Sequence, residues 1–166
     1  EAAEVAIQLE PYKWYPQRAG RVDLVVERAK ATGAFEDPAI RQEIAKLLTL
    51  SKAAEWTARR ARAMQDRGGP QGPEGSLGKL AASNVARMAA QVHTMIAGTD
   101  AMLTGVDGAL DGVIAEVLVS VPAVSIAGGT DEIQKNIISE RVLKMPREPR
   151  TDTKGPFRDV PRNTVG

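Results

Sequence analysis

Ile126-Ala127-Gly128-Gly129-Thr130-Asp131-Glu132-Ile133-Gln134-Lys135-Asn136-Ile137-Ile138, running on to Glu140-Arg141-Val142-Leu143, packs a glycine pair, a helix start and an amphipathic helix into one short stretch. Threonine caps helix N-termini well, because its side-chain oxygen can accept from a backbone amide of the first turn, and Thr130 is placed to do so. Asp131 and Glu132 then stand where the helix dipole favours negative charge, and Arg141 where it favours positive charge. Two glycines just before such a start can let a backbone approach a ligand closely, with first-turn amides donating to a phosphate or a polar ring edge. An ordinary turn and cap would use the same residues.

Outward from this stretch the chain reads as helices. A fourth helix covers roughly Asp111 to Ser125, rich in valine but too long and too periodic for a strand. Before it lies a Gly/Asp-rich connection from Gly98 to Gly112, with room for a short helical turn around Ala101 to Leu103. The third helix runs from about Glu74 to Ala97, with Leu77, Leu80, Ala81, Val85, Met88, Val92, Met95 and Ile96 inward. Glycine and proline make a loop of the residues from Gly68 to Gly75. Asp37-Pro38 is a strong helix start, an N-cap carboxylate followed by proline at the first helical position. The second helix it opens carries Ile40, Ile44, Leu47, Leu48, Ala54 and Ala58 as a stripe and ends near Gly68-Gly69. Four arginines between Arg59 and Arg67 read as a solvated face near its end.

The first helix settles from Pro16, with Val22, Val25, Val26 and Ala29 at helical spacing, Lys30 suited to its C-terminal end and Gly33 as a stop. Before that, Val5, Ile7 and Leu9 alternate, though Glu1 to Leu9 reads equally as one or two helical turns, and Pro11 and Pro16 rule out a continuous helix interior. After Met145 the charged, proline-containing tail to Gly166 has little to bury, and is expected to be extended along a neighbour or disordered. The expectation is an all-α, antiparallel helical bundle over 1–145, its neighbours joined by short loops, with an extended C-terminal tail over 146–166.

Bulk composition agrees. At 166 residues the chain is large enough for one core, and its 43% apolar and 26% charged residues are ordinary for a soluble domain. Only 4% are aromatic, which disfavours a β-sandwich or barrel. A net charge of +1 gives no reason to expect nucleic acid or an anionic membrane as partner. The absence of cysteine excludes disulfides, thiolate metal sites and cysteine nucleophiles. No apolar run reaches the roughly 18 residues needed to span a bilayer, and nothing at the start has a signal peptide's basic and apolar regions. A chain that begins at Glu1 without methionine reads as a fragment or trimmed form, with the cytoplasm as the expected compartment.

The opening stretch does not stand alone. With Arg41-Gln42 in the second helix, the Gly72-Pro73-Glu74-Gly75-Ser76 helix start followed by Lys79-Leu80, and the Pro146-Arg147-Glu148-Pro149 exit, it resembles bacterial acyl-CoA dehydrogenases. The whole chain is similar to their C-terminal all-α domain. The family's N-terminal helical domain and middle β-domain, which supply much of the flavin and acyl-CoA pocket, have no counterpart here. The family oxidises the Cα–Cβ bond of an acyl-CoA thioester: a carboxylate removes the α-proton while the β-hydrogen leaves as hydride to flavin N5. This needs a base held against the α-carbon and hydrogen bonds that polarise the thioester carbonyl.

The resemblance therefore implies a flavoprotein oxidoreductase of fatty acid or lipid metabolism, with FAD as cofactor and acyl-CoA as the complete protein's substrate. It also implies a homo- or hetero-oligomer, dimer or tetramer. Gly129, Thr130 and Glu132 are its cofactor-binding residues on this loop. Glu132 departs from the glutamine often found there, which leaves the helix dipole as its alternative role. The position that carries the catalytic glutamate in many members corresponds to Gly128, which cannot transfer a proton. Other members place the glutamate near the start of this domain's first helix, in a Glu-Arg pair. Ungapped alignment back from Ala19-Gly20-Arg21 puts Tyr12 and Lys13 there, whereas a two-residue shift offers Glu10 with Pro11 in place of arginine. No catalytic residue is assigned, and Glu10 is the candidate held in reserve. Two readings follow, a domain of an active dehydrogenase or a non-catalytic partner subunit of a heteromeric one. In both, the isolated 166-residue chain is expected to be inactive and to bind FAD weakly at best.

Other residues carry less. His93, the one histidine, has no second ligand or carboxylate at helical spacing and reads as structural or surface, and no metal site is expected. Glu36-Asp37 is explained by capping, Ser76 and Ser83 have no histidine near in sequence to activate them, and residues 68–75 lack the Lys-Ser/Thr ending of a phosphate-binding loop. Tyr12, Trp14 and Tyr15 read as core or interface aromatics.

Overall fold

A computed structural model describes residues 18–69 and 72–147, together with Pro156 and Arg158. Among these residues there are five α-helices and no strand: α1 (Val22–Ala31), α2 (Pro38–Asp66), α3 (Glu74–Ala97), α4 (Val113–Ser120) and α5 (Asp131–Arg141). Short 3-10 turns occupy Ala34–Glu36, Gly98–Met102, Gly105–Asp107 and Val121–Ser125. The all-α architecture expected from periodicity is the one observed. No described helix is long and apolar enough to cross a membrane.

The start of α2 follows its sequence signal closely. The Asp37 carboxylate accepts from the Ala39 amide at 2.7 Å, and Pro38 stands in the first turn, where its missing N–H leaves no bond unmade. Ile40, Ile44 and Leu47 are buried, each contributing roughly 1.5–3 kcal/mol from removal of its side chain from water. Beyond Leu47 no residue of α2 is fully buried, and Leu48 and Ala58, expected in the apolar stripe, are exposed. The second half of α2 leans on the bundle along one edge only. Its four arginines, Arg59, Arg60, Arg62 and Arg67, are exposed as expected.

The centre of the fold is α3, which packs against α1, α2, α4 and α5. Its buried face consists of Ser83, Ala86, Ala89, Ala90, Val92 and His93; of the residues expected inward, Val92 is buried and Val85, Met88 and Ile96 pack half-buried against the core. Leu77 and Met95 are 37% and 38% exposed. The reason is steric. A helix with neighbours on several sides is approached most closely along its small residues, so Ala86, Ala89 and Ala90 turn inward and the bulkier residues take the seams. Two apolar clusters result. One joins Val25 and Ala29 of α1, Ile40, Ile44 and Leu47 of α2, and Ala89 and Val92 of α3. The other joins Ala86 and Ala90 to Val117 of α4 and Val121 just after it.

Two helices are shorter than expected. α1 begins at Val22 rather than near Pro16, because Gly20 and Arg21 both adopt left-handed backbone, at φ 77° and 50°. α4 begins at Val113 because Leu110, Asp111 and Gly112 are left-handed, and it ends at Ser120, two residues before Pro122, where the chain tightens into a 3-10 turn.

His93 is fully buried and structural. Its Nε2 lies 2.9 Å from the Arg21 carbonyl oxygen, while Arg28 Nη1 donates to the His93 carbonyl at 3.0 Å. A carbonyl can only accept, so Nε2 carries the proton in the neutral ring, and buried Nδ1 has no partner. Burial pushes this imidazole below its ordinary value of 6.5, and the positive Arg28 and Arg21 act the same way; the bond to the Arg21 carbonyl and the charge of Asp23 oppose them. The folded state thus resists a proton that the unfolded chain accepts. Stability carried by the neutral ring is complete above pH 6.5 and is lost as pH falls below that toward the depressed folded value. The melting temperature is expected to drop between about pH 7 and about pH 5, and His93→Gln to remove most of that slope. An unchanged slope in the variant would place the titrating group elsewhere.

Candidate functional site

The site is built where the last loop meets α5. Gly128 and Gly129 take left-handed backbone in succession, at φ 68° and 91°. The Gly128 carbonyl oxygen accepts from Gln134 Nε2 at 3.2 Å, and that glutamine is itself buried. Glycine is favoured at position 129 by its φ, and a Cβ there would stand 2.8 Å from that same Nε2, so the Gln134 side-chain tip would have to shift. At Gly128 the opposite holds. No atom lies within 4 Å of where a Cβ would be, and the residue is exposed.

Thr130 caps α5, its Oγ1 accepting from the Ile133 amide at 3.2 Å. The hydroxyl's own proton is unused among the described residues. Glu132 sits in the first turn with its side chain 76% exposed, 3.9 Å from Lys135 Nζ. Its contribution within this domain is to the helix dipole.

Asp131 behaves unlike a first-turn acid. It is 3% exposed, and Lys79 Nζ donates to its Oδ1 at 2.9 Å. Arg87 Nη2 lies 3.3 Å from Oδ2, with the hydroxyls of Ser83 and Ser125 alongside. Desolvation pushes this carboxyl up, but the hydrogen bond from Lys79 and its charge, with the nearby Ser83 and Ser125 hydroxyls, outweigh it and hold it below its ordinary value. Ser83 also donates to the Val124 carbonyl at 3.2 Å, fastening α3 to the segment that leads into the loop.

In front of the loop is a cleft of about 530 Å³, lined by Glu74, Ser76, Lys79, Gly128, Gln134 and Arg141 among others. Two stretches singled out in the sequence, the helix start at 72–76 with Lys79 and the glycine loop, therefore share one wall. Of the loop residues expected to bind cofactor, Gly129 and Thr130 form the turn beside this cleft and Glu132 points to solvent. Ser76 lines the cleft, yet the chain's one histidine serves Arg21 far along α3, so no serine nucleophile is assembled. No group of described residues could hold a metal ion. Glu10, Tyr12, Lys13, Trp14 and Tyr15 lie outside the described residues, as does most of the tail after Arg147.

Sequence reasoning passed over the depth of Asp131 and its partners. The signal was present: Lys79, Ser83 and Arg87 recur every four residues, a polar ridge on a helix otherwise lined with alanine.

Residues 18–143 match the family model described as acyl-CoA dehydrogenase, C-terminal domain. Two solved structures share the fold. One, described as "Tcur3481-Tcur3483 steroid ACAD", is 19% identical with a TM-score of 0.68, over 76% of this chain and 34% of that one. The other, "Crystal structure of the ChsE4-ChsE5 complex from Mycobacterium tuberculosis", is 21% identical with a TM-score of 0.68, over 80% and 36%. The chain thus spans about a third of the length of these solved relatives. No curated protein sequence matches it significantly.

Proposed function

The chain belongs to the acyl-CoA dehydrogenase family, with residues 18–143 as its C-terminal domain, and from that premise we propose that the complete protein is an FAD-dependent dehydrogenase of an acyl-CoA thioester. In this reading the domain contributes a flavin edge and subunit contacts. The observation that carries it is the turn at Gly128, Gly129 and Thr130. Two left-handed glycines bare the backbone, nothing stands in front of Gly128, and the Thr130 hydroxyl keeps a proton to donate. Those features suit a flat, polar-edged ring lying against the loop. Bound FAD would supply the electron acceptor. The chain's own part is to hold Gly129 and Thr130 against the ring, with Glu132 free to reach the same ligand or a neighbouring subunit.

The complete protein is expected to co-purify with FAD as a dimer or tetramer, checked by its visible absorbance and by light scattering. A colourless protein that cannot be reconstituted with FAD would sink the reading. The isolated chain is expected to show no turnover and weak FAD binding.

Gly128 favours a second reading, a non-catalytic subunit paired with a different, base-bearing chain. Both solved relatives are described as pairs of chains. Co-expression with a neighbouring dehydrogenase separates the two. Turnover confined to the mixed complex supports the partner role, whereas turnover by the homomer that Glu10→Gln abolishes supports an active subunit.

A further inference from the structure

We propose that Lys79 is a positioning residue for the turn at Gly128, Gly129 and Thr130, acting through its buried ion pair with Asp131. The consequence for cofactor rests on the flavin reading above; the positioning itself does not.

Two adjacent glycines with positive φ carry almost no conformational preference of their own, so the turn must be set by what holds its ends. Gln134 holds one side by donating to the Gly128 carbonyl at 3.2 Å. The other side is held by the residue that follows the cap. Asp131 is 3% exposed, and a carboxylate removed from water costs far more than the helix dipole returns at its position. Its burial makes sense only with strong partners. Lys79 is the chief one: its Nζ is 2.9 Å from Oδ1, and its side chain is only 19% exposed. Arg87 is longer, at 3.3 Å, and half exposed, so water screens much of its charge. Lys79, Ser83 and Arg87 form a ridge four residues apart on α3, the most embedded helix of the domain. The ridge therefore anchors the start of α5 one residue beyond Thr130. Loop geometry is imported from α3.

Lys79 also lines the cleft, and a direct contact with an anionic ligand would use the same ammonium. The two roles separate experimentally. In the complete protein as purified, Lys79→Met is expected to speed amide exchange over residues 128–133 by about tenfold or more, leaving the buried amides of α1 and α2 protected. Asp131→Asn, nearly isosteric and with Lys79 still charged, should loosen the same amides to a similar degree. Lys79→Arg should restore protection, since it keeps a donor and a charge for Asp131. FAD affinity should weaken along with loop protection in the first two variants. Unchanged exchange at 128–133 in both Lys79→Met and Asp131→Asn would overturn the proposal, and so would loosening spread evenly through α1, α2 and α3. A loss confined to Lys79→Met would overturn it in favour of direct ligand contact. If the loop loosens as expected while FAD is held as tightly as before, the positioning role stands and the flavin reading of the loop fails.

Discussion

Replacing Gly20 with alanine is expected to destabilise the domain by about 3 kcal/mol, combining a left-handed backbone penalty with overpacking. Gly20 is buried at φ +77°, and a Cβ there would stand 2.5 Å from the Ala86 carbonyl oxygen, 2.9 Å from the Ala86 Cα and 3.0 Å from the Ala89 Cβ. Two of those three atoms belong to the backbone of α3, which cannot swing aside as a side chain can. The clash also reaches its neighbour, because the Arg21 carbonyl is the acceptor for His93. Gly33 provides the comparison, with φ +76° and nothing within 4 Å of its Cβ position. Gly33→Ala should therefore show the backbone penalty alone, about 1 kcal/mol. Urea denaturation of the two variants measures the difference. Equal losses would mean that the segment at Gly20 does not press on α3 as described.

Gly128→Glu is expected to act on chemistry rather than on folding. In the proposed reading Gly128 stands where many family members carry their base, and no atom lies within 4 Å of its Cβ position, so a side chain can start there without a clash. Its cost is the left-handed backbone at φ 68°, about 1 kcal/mol. A general base typically contributes 10²–10⁴-fold to the rate, and a stability loss of about 1 kcal/mol out of the roughly 5–15 kcal/mol typical of a domain leaves the protein folded. Turnover of acyl-CoA by the complete homomeric protein should rise by about 100-fold or more, with Gly128→Gln as the neutral control that gains nothing. A homomer already active, and indifferent to this substitution, would show that the base is supplied elsewhere, with Glu10 the first residue to test.

Where a feature depended on neighbours in the chain, it was legible in the sequence. Asp37-Pro38 and Thr130 cap as their residue types demand, and Gly68-Gly69 lies just beyond the end of α2, because capping is settled within one helical turn. Where a feature depended on neighbours in space, periodicity was right in part, since Val92 is buried and Val85, Met88 and Ile96 pack against the core. Leu77 and Met95 repeat at helical spacing, but the number and closeness of the helices around α3 gave its inner face to Ala86, Ala89 and Ala90. The short α4 followed from left-handed Leu110 and Asp111, positions where only context makes a non-glycine residue adopt positive φ. In the site, the glycine pair and cap could be found from sequence, whereas the polar ridge of Lys79, Ser83 and Arg87 did not say which acid it would bury. A first-turn acid and a lysine 52 residues upstream look like two ordinary surface charges until the fold joins them.

The polar bonds that converge on α3 have a consequence for how this chain assembles. Arg28 reaches His93 across 65 residues, Arg21 across 72, Ser83 reaches Val124 across 41 and Lys79 reaches Asp131 across 52. Bundles whose contacts are mostly local fold fast, because little chain entropy is surrendered before each contact forms. Here the bonds that define both ends of the domain close long loops, so neither end can mature until α3 exists as a docking surface. A ribosome would have to release well past Arg141 before the glycine turn acquired its shape. The glycine turn is thus made after α3, and its form waits on a helix made long before it.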